Sequence, residues 1–271
     1  MEESVPMTAF DARAYWENRL GADWSLEGVG FRRMGRNFNN WAYRLRGEQF
    51  AAIVEQFLPH RTQARVLDIG SGTGFYIDAW QALGAAEVVG MDLTDAAVDK
   101  LRGAFPTIDF VRNDITEGIA ELPRESFDIV SSMDVMFHIV DPDRFAAALR
   151  NVAELLVPGG HFVWSDFFVH GREVVRGHIA WRSLYRIEAL LDQAGFEIVG
   201  RRPMFFWMNE PRDTSSRLVL QGWKALMWLG STSEAAGELA GRALYRLDRG
   251  LSLRRVESPS TEVMVCRKRS T

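Results

Sequence analysis

The stretch Val66-Leu67-Asp68-Ile69-Gly70-Ser71-Gly72-Thr73-Gly74-Phe75-Tyr76 decides how the rest of the chain is read. An apolar run ends in an acid, and three alternating glycines follow. Glycine adopts the left-handed backbone that a tight turn requires, and it lets a ligand approach the main chain. Residues 65–69 read as a buried strand and 75–83 as a helix. A strand, a glycine turn and a helix start together cradle a nucleotide-like ligand. The spacing is G-x-G-x-G, and Phe75 stands where the dinucleotide fingerprint places its third glycine.

Outward from this turn, strand and helix patterns alternate. Strands are expected at 87–91, 108–111, 127–132 and 161–166, with helices at 94–104 and 142–157. Phe145, Leu149, Val152 and Leu156 recur at helical spacing in the latter. Asp141-Pro142 supplies its cap and first position, and Pro158-Gly159-Gly160 its stop. Such alternation predicts an α/β fold with a parallel sheet covered on both faces. A helix at 183–194 and a strand at 196–203 follow. The last strand is expected at 262–267. The first 60 residues read as helical, and the insertion 208–258 as two helices. Leu218, Trp223 and Met227 mark one face of the first. Ser231 and Glu234 form a candidate capping box for the second.

Composition narrows the function classes. The chain has 271 residues, 47% of them hydrophobic and 25% charged, which fits a globular domain with elaborations. A net charge of −4 argues against general nucleic-acid affinity. One cysteine, Cys266, leaves no disulfide framework, and no metal site is expected. The start lacks a signal-peptide pattern, and no apolar stretch approaches the roughly 18 residues that span a bilayer. A cytoplasmic location without stable membrane insertion is the expectation.

Further motifs sit at the strand ends. Asp92 closes the second strand in VVGMDL, where a carboxylate can accept hydrogen bonds from ribose hydroxyls. Asn113-Asp114-Ile115 close the third, where a polar tip can reach an adenine edge. FDIVSSMDVMFHI and LLVPGGHFVWSD follow. In this order and spacing, residues 66–166 resemble the core of a class I S-adenosylmethionine-dependent methyltransferase. The resemblance covers a little over a third of the chain. It implies a Rossmann-like, seven-stranded, mostly parallel sheet whose last strand is antiparallel. It also implies S-adenosylmethionine as cofactor, held at its methionine end by Asp68 and the Gly70, Ser71, Gly72 and Gly74 turn. Asp92 would bind the ribose, and Leu93 would pack on the adenine. Asn113 or Asp114 would take the adenine amino group beside Ile115, with Met133 and Tyr43 also at the cofactor. A turn-capping role for Asp68 and a helix-capping role for Asp92 are the structural alternatives.

Three units are expected: an N-terminal helical cover (1–60), the cofactor-binding core (61–208 and 259–271) and a helical insertion serving as substrate lid (209–258). Residues 28–47 hold five arginines and no acid, which fits either a solvated helix face or a cover that meets an anionic substrate. His138 lies just past the fourth strand. It is the candidate general base, with Asp134 as partner or loop cap; packing beside the cofactor is its alternative role. Phe38, Phe206, Trp207, Trp223 and Met227 are the candidate substrate walls, against a plain core role or a membrane-surface helix. Asp166, His170 and His178 lack metal-ligand spacing. The expected reaction is methylation of a small, partly hydrophobic metabolite, at oxygen in the first reading. Carbon or nitrogen methylation of an apolar metabolite or lipid precursor is the second. A cofactor-binding module without catalysis is the reading from outside the enzymes.

Overall fold

The computed structural model describes residues 10–120 and 122–270. Strands β1 (Arg65–Ile69), β2 (Glu87–Asp92), β3 (Asp109–Arg112), β4 (Phe127–Ser132), β5 (Leu156–Asp166), β8 (Phe196–Pro203) and β9 (Glu262–Lys268) form one seven-stranded sheet. Its order is β3-β2-β1-β4-β5-β9-β8, and β9 runs antiparallel between β5 and β8. Chain order reverses between β1 and β4, so a crevice opens beyond the carboxyl ends of those two strands. The glycine turn stands at that place.

Each sheet face buries its own apolar layer, as strands buried on both sides require. On one face, Trp80 and Ile77 of α4 (Phe75–Ala82) and Val98 and Leu101 of α5 (Asp95–Ala104) share a core with α3 (Gly35–Phe57). On the other, Phe145, Leu149 and Val152 of α6 (Pro142–Leu155) join Ile187 and Leu191 of α7 (Leu184–Gln193). Both α5 and α6 are capped by side chains, the second as expected. Thr94 accepts from the Ala97 amide, and Asp141 accepts from the Asp143 and Arg144 amides ahead of Pro142.

Three features depart from expectation. Helix α6 ends at Leu155 and β5 begins at Leu156, so Pro158-Gly159-Gly160 lie inside a strand. Leu156 pairs with Phe127, and a register shift between Phe127 and Ile129 absorbs the irregular segment. As expected, the N-terminal part is helical, with α1 (Ala12–Ala22), α2 (Leu26–Val29) and α3 among the described residues. Residues 1–9 of the expected cover lie outside the described residues. A short hairpin of β6 (Val174–Arg176) and β7 (Ile179–Trp181) follows β5 without having been anticipated.

The insertion does hold two helices, α8 (Arg217–Gly230) and α9 (Glu234–Ser252), but Ser231 and Glu234 make no capping box. Ser233 caps α9 by accepting from the Ala236 amide. Glu234 instead accepts from the Arg36 and Asn37 amides at 3.0 and 2.9 Å, satisfying first-turn donors of α3. No helix among the described residues is long and apolar enough to cross a membrane.

Candidate active site

A cavity of about 910 Å³ fills the crevice. The turn from Gly70 to Thr73, the tip of β2, the segment after β3 and the residues following β4 form its floor. Helix α1, residues 29–31, the 137–141 segment and the β6–β7 hairpin close it from above. Among the expected cofactor residues, Tyr43, Gly70, Ser71, Gly72, Asp92, Leu93, Asn113, Asp114, Ile115 and Met133 line this space. Asp68 and Gly74 do not.

The three glycines do different things. Gly70 (φ 76°) sends its amide to the Met91 carbonyl at 2.7 Å, and a β-carbon there would lie 2.3 Å from Val135 Cγ2. Gly74 (φ 85°) lets the α4 start close against Phe105, which a β-carbon would meet at 2.4 Å. At Gly72 (φ 52°) the nearest heavy atoms to a β-carbon, the Gly70 carbonyl oxygen and Val29 Cγ1, lie at 3.7 Å, so a side chain there would touch but not clash. Of the three glycines, Gly72 is thus the one not held by a close approach, and its backbone is uncrowded on the side of its α-carbon.

Asp68 lies beneath the turn with almost no exposure. Its Oδ1 accepts from Ser131 Oγ at 2.7 Å, and Ser131 Oγ accepts from Trp80 Nε1 at 2.9 Å. Oδ2 has no partner, and burial pushes the carboxyl up to about 7. The buried Tyr76 hydroxyl is likewise unpartnered. Asp92 is clamped to the turn it faces. Its Oδ2 accepts from the Gly72 amide at 2.9 Å, and its Oδ1 accepts from the amide and hydroxyl of Thr94 at 3.0 and 2.8 Å. Asp114 already serves Arg144 at 2.7 Å and the Thr116 amide and hydroxyl, while Asn113 Nδ2 donates to the Gly118 carbonyl.

Asp134 is not the partner of His138. It has φ 60°, forms an ion pair with the buried Arg46 of α3, and exchanges hydrogen bonds with Ser165 Oγ. His138 Nδ1 lies 2.9 Å from the His178 carbonyl. A carbonyl only accepts, so Nδ1 carries the proton and the Nε2 lone pair is left open. The His138 ring stacks on His178 at 5.1 Å between centroids and meets Trp16 edge-on at 5.0 Å. Burial in this aromatic setting pushes its pKa down to about 3, so the imidazole is neutral throughout the physiological range.

The expected substrate walls lie elsewhere. Phe38, Phe206, Trp207, Trp223 and Met227 are all absent from the cavity lining. Phe38 is wholly buried in the core under α3, and Trp207 and Met227 pack against that core. Asp248 of α9 accepts from the Phe206, Trp207 and Met208 amides, and Trp223 Nε1 donates to the Trp207 carbonyl at 2.8 Å. These rings tie the insertion to the body of the protein because α9 packs along α3. Of residues 209–258, only Asn209 reaches the cavity, so the insertion is not its lid.

The lining that sequence reasoning missed comes from α1 and the hairpin: Phe10, Trp16, Arg19, His178 and Ile179. Arg19 holds the cover together by donating to the Gly28 and Gly30 carbonyls and to the Tyr15 hydroxyl. Trp24 Nε1 donates to the Gly72 carbonyl at 2.9 Å. Asp166, His170 and His178 do not gather, and no metal-type cluster of His, Cys, Asp and Glu exists among the described residues. His170 pairs with Asp213 at 2.7 Å on the surface.

Comparison with known proteins agrees with this geometry. The methyltransferase-domain family matches residues 66–160. A Mycolicibacterium smegmatis protein named as an S-adenosylmethionine-dependent methyltransferase is 33% identical over 153 residues, covering 54% of this chain and 57% of that protein. A ubiquinone biosynthesis O-methyltransferase of Ruegeria pomeroyi is 33% identical over 182 residues, covering 57% of this chain and 71% of that protein. Among solved structures, an S-adenosylmethionine-dependent methyltransferase from Mesorhizobium loti shares the fold with a TM-score of 0.52 at 20% identity, over 80% of this chain and 96% of that one.

Proposed function

The chain belongs to the class I S-adenosylmethionine-dependent methyltransferases, and we propose that it methylates a hydroxyl group on a small, partly apolar metabolite. The cofactor's chemistry fits the residues present. An unpartnered, buried carboxylate oxygen on Asp68 suits a ligand carrying an ammonium, and the uncrowded α-carbon of Gly72, on the cavity lining, would let a chain lie against the backbone. Asp92 would take the ribose through the lone pairs its turn contacts leave free. Leu93 and Met133 would enclose the adenine. Asn113, Asp114 and Ile115 would border its edge, and Tyr43 would cover the methionine end.

Bound there, S-adenosylmethionine supplies a methyl carbon activated by its sulfonium. The protein's own part is alignment and exclusion of water. Helix α1 and the β6–β7 hairpin close an aromatic chamber around His138, with Trp16, Phe137 and Phe167 as walls. The observation that carries the oxygen reading is the fixed tautomer of His138. Its Nε2 accepts a hydrogen bond from the acceptor hydroxyl and aims an oxygen lone pair at the methyl group. An imidazole held near pKa 3 is a weak base, so it orients the hydroxyl and takes its proton only as the new bond forms. The O-methyltransferase names among the relatives support the same acceptor atom.

Two measurements test this. Incubation with methyl-labelled cofactor and pools of hydroxylated metabolites is expected to yield a methyl ether. Label on nitrogen or carbon, with the hydroxyl still free, would refute the oxygen reading. Asp92→Ala is expected to weaken cofactor binding by about 1–3 kcal/mol in calorimetry. Unchanged affinity in the folded variant would remove Asp92 from the ribose site.

A further inference from the structure

The outward surface of the α8–α9 hairpin has no part in the site just described. Val219, Leu220, Trp223, Met227 and Gly230 turn α8 toward the protein. At about 100° per residue, the opposite face presents Leu218, Gln221, Ala225, Trp228 and Leu229, none of them charged. Leu218 is 80% exposed, Trp228 64% and Leu229 56%, and Leu239 on α9 is 72% exposed. An apolar surface of this kind, bordered by charge, marks an interaction site.

The bordering charge is mainly basic, with Glu238 beside Leu239 as the one acid not engaged elsewhere. Arg217 and Lys224 lie along one edge of the α8 face, and Arg242 and Arg246 project from the outer face of α9. None of the four forms an ion pair among the described residues. Residues 217–255 hold seven basic and three acidic side chains, in a chain whose net charge is −4. Two of those acids are spent internally, Asp248 on the Phe206–Met208 backbone and Glu234 on the α3 amides.

We propose that this hairpin docks the protein on the surface of an anionic lipid bilayer. Trp228, Leu229 and Leu218 enter the headgroup layer, while the four free cations meet lipid phosphates. An uncharged helix face with Trp and Leu, edged by Lys and Arg, is the build of an interfacial helix. Each basic side chain near an anionic surface raises partitioning about fivefold. A second copy of the chain would bring the same cations against this face, whereas anionic lipid neutralises them. The hairpin's inner face also borders the segment that leads to the cavity cover. Met34 packs against Gly230 and Gly237, and Phe31, three residues earlier, lines the cavity. That a lipophilic acceptor is collected there rests on the O-methylation reading above; the docking does not.

Cosedimentation with vesicles of phosphatidylcholine, with and without phosphatidylglycerol, tests the proposal on the full chain without any acceptor. The protein is expected to pellet with the mixed vesicles at low ionic strength and to be released by salt. Trp228→Ser with Leu229→Ser, and separately Arg242→Glu with Arg246→Glu, are expected to cut partitioning about tenfold or more. Both variants should keep their circular dichroism spectrum and cofactor affinity, because the altered side chains are exposed. No binding beyond that to phosphatidylcholine alone, or binding that survives both double variants, would overturn the proposal. So would a dimer in sedimentation velocity that Trp228→Ser abolishes, since the face would then belong to a second copy. Cofactor affinity is read separately, so failure to dock is distinguishable from failure of the methyl-transfer reading.

Discussion

Residues 10–57 and residues 204–252 both add helices and large aromatic side chains to the same sheet, yet only the first set closes the cavity. The difference lies in what each addition packs against. Helix α1 lies across the carboxyl ends of the strands and bonds to α5 and the glycine turn. Glu17 accepts from the Asp95 and Ala96 amides, and Trp24 from the same region donates to Gly72. The C-terminal addition lies along α3, where Gly237 and Gly241 let the two helices approach closely. An aromatic cluster therefore says that apolar area must be buried; the neighbouring backbone decides whether the partner is protein or ligand.

The widest separation between the two regions should come from paired truncations. Phe206→Ala removes a buried ring and is expected to cost about 3 kcal/mol of stability. Cofactor and acceptor constants of the folded fraction should stay unchanged. Chemical denaturation alongside steady-state kinetics measures both. A raised acceptor KM with normal stability would return the insertion to the substrate wall.

A second test isolates the sheet's own contribution from both additions. Burial holds Asp68 near 7, whereas an unburied aspartate titrates near 4, so its carboxylate is largely protonated at pH 6. If the ionised form pairs with the cofactor's ammonium, affinity should fall as pH drops below 7, approaching tenfold per unit. Calorimetry between pH 7 and pH 5 reads this directly. Asp68→Asn should bind weakly with a flat profile. An unaltered pH dependence in that variant would leave Asp68 as a turn-capping residue only.

Trp16→Ala is the counterpart to Phe206→Ala. The Trp16–His138 contact is an edge-on aromatic pair worth about 0.5–1.5 kcal/mol, so acceptor KM should rise roughly threefold to tenfold. Trp16 is half-buried at the cavity rim, and the melting temperature should move little. Loss of stability without a change in KM would make α1 scaffold, as the insertion is.

Much of the sheet, and the strand tips and turn that line the cavity, was legible because their signals are local. An apolar strand, a turn with three positive-φ glycines and acids at strand tips all sit within a few residues of one another. The cavity's cover was not, because its signals are long-range. Helix α1 has little amphipathic pattern, and all three residues of β6 are exposed, so neither stands out by periodicity. The partner of His138 is a backbone carbonyl 40 residues away, which no side-chain pattern encodes. Glu234 reads as a local capping residue, yet it caps a helix 197 residues distant.

The smallest expected effect is an absence, and it bears on the acceptor chamber. An exposed histidine acting as base would make turnover fall as pH drops through the range around 6.5. Burial between Trp16, Phe137 and His178 instead holds His138 near 3, so its neutral form persists across that range. With cofactor and acceptor both saturating, turnover between pH 5 and pH 8 should show no break assignable to His138. Replacing it by alanine should lower turnover by about threefold to tenfold, the scale of one orienting hydrogen bond. Loss of the order of 10²–10⁴ would instead mark full general-base catalysis. A break near 6.5 that disappears in His138→Ala would mean that the ring titrates in water during turnover. The chamber would then be open at the chemical step, and α1 would no longer be its cover.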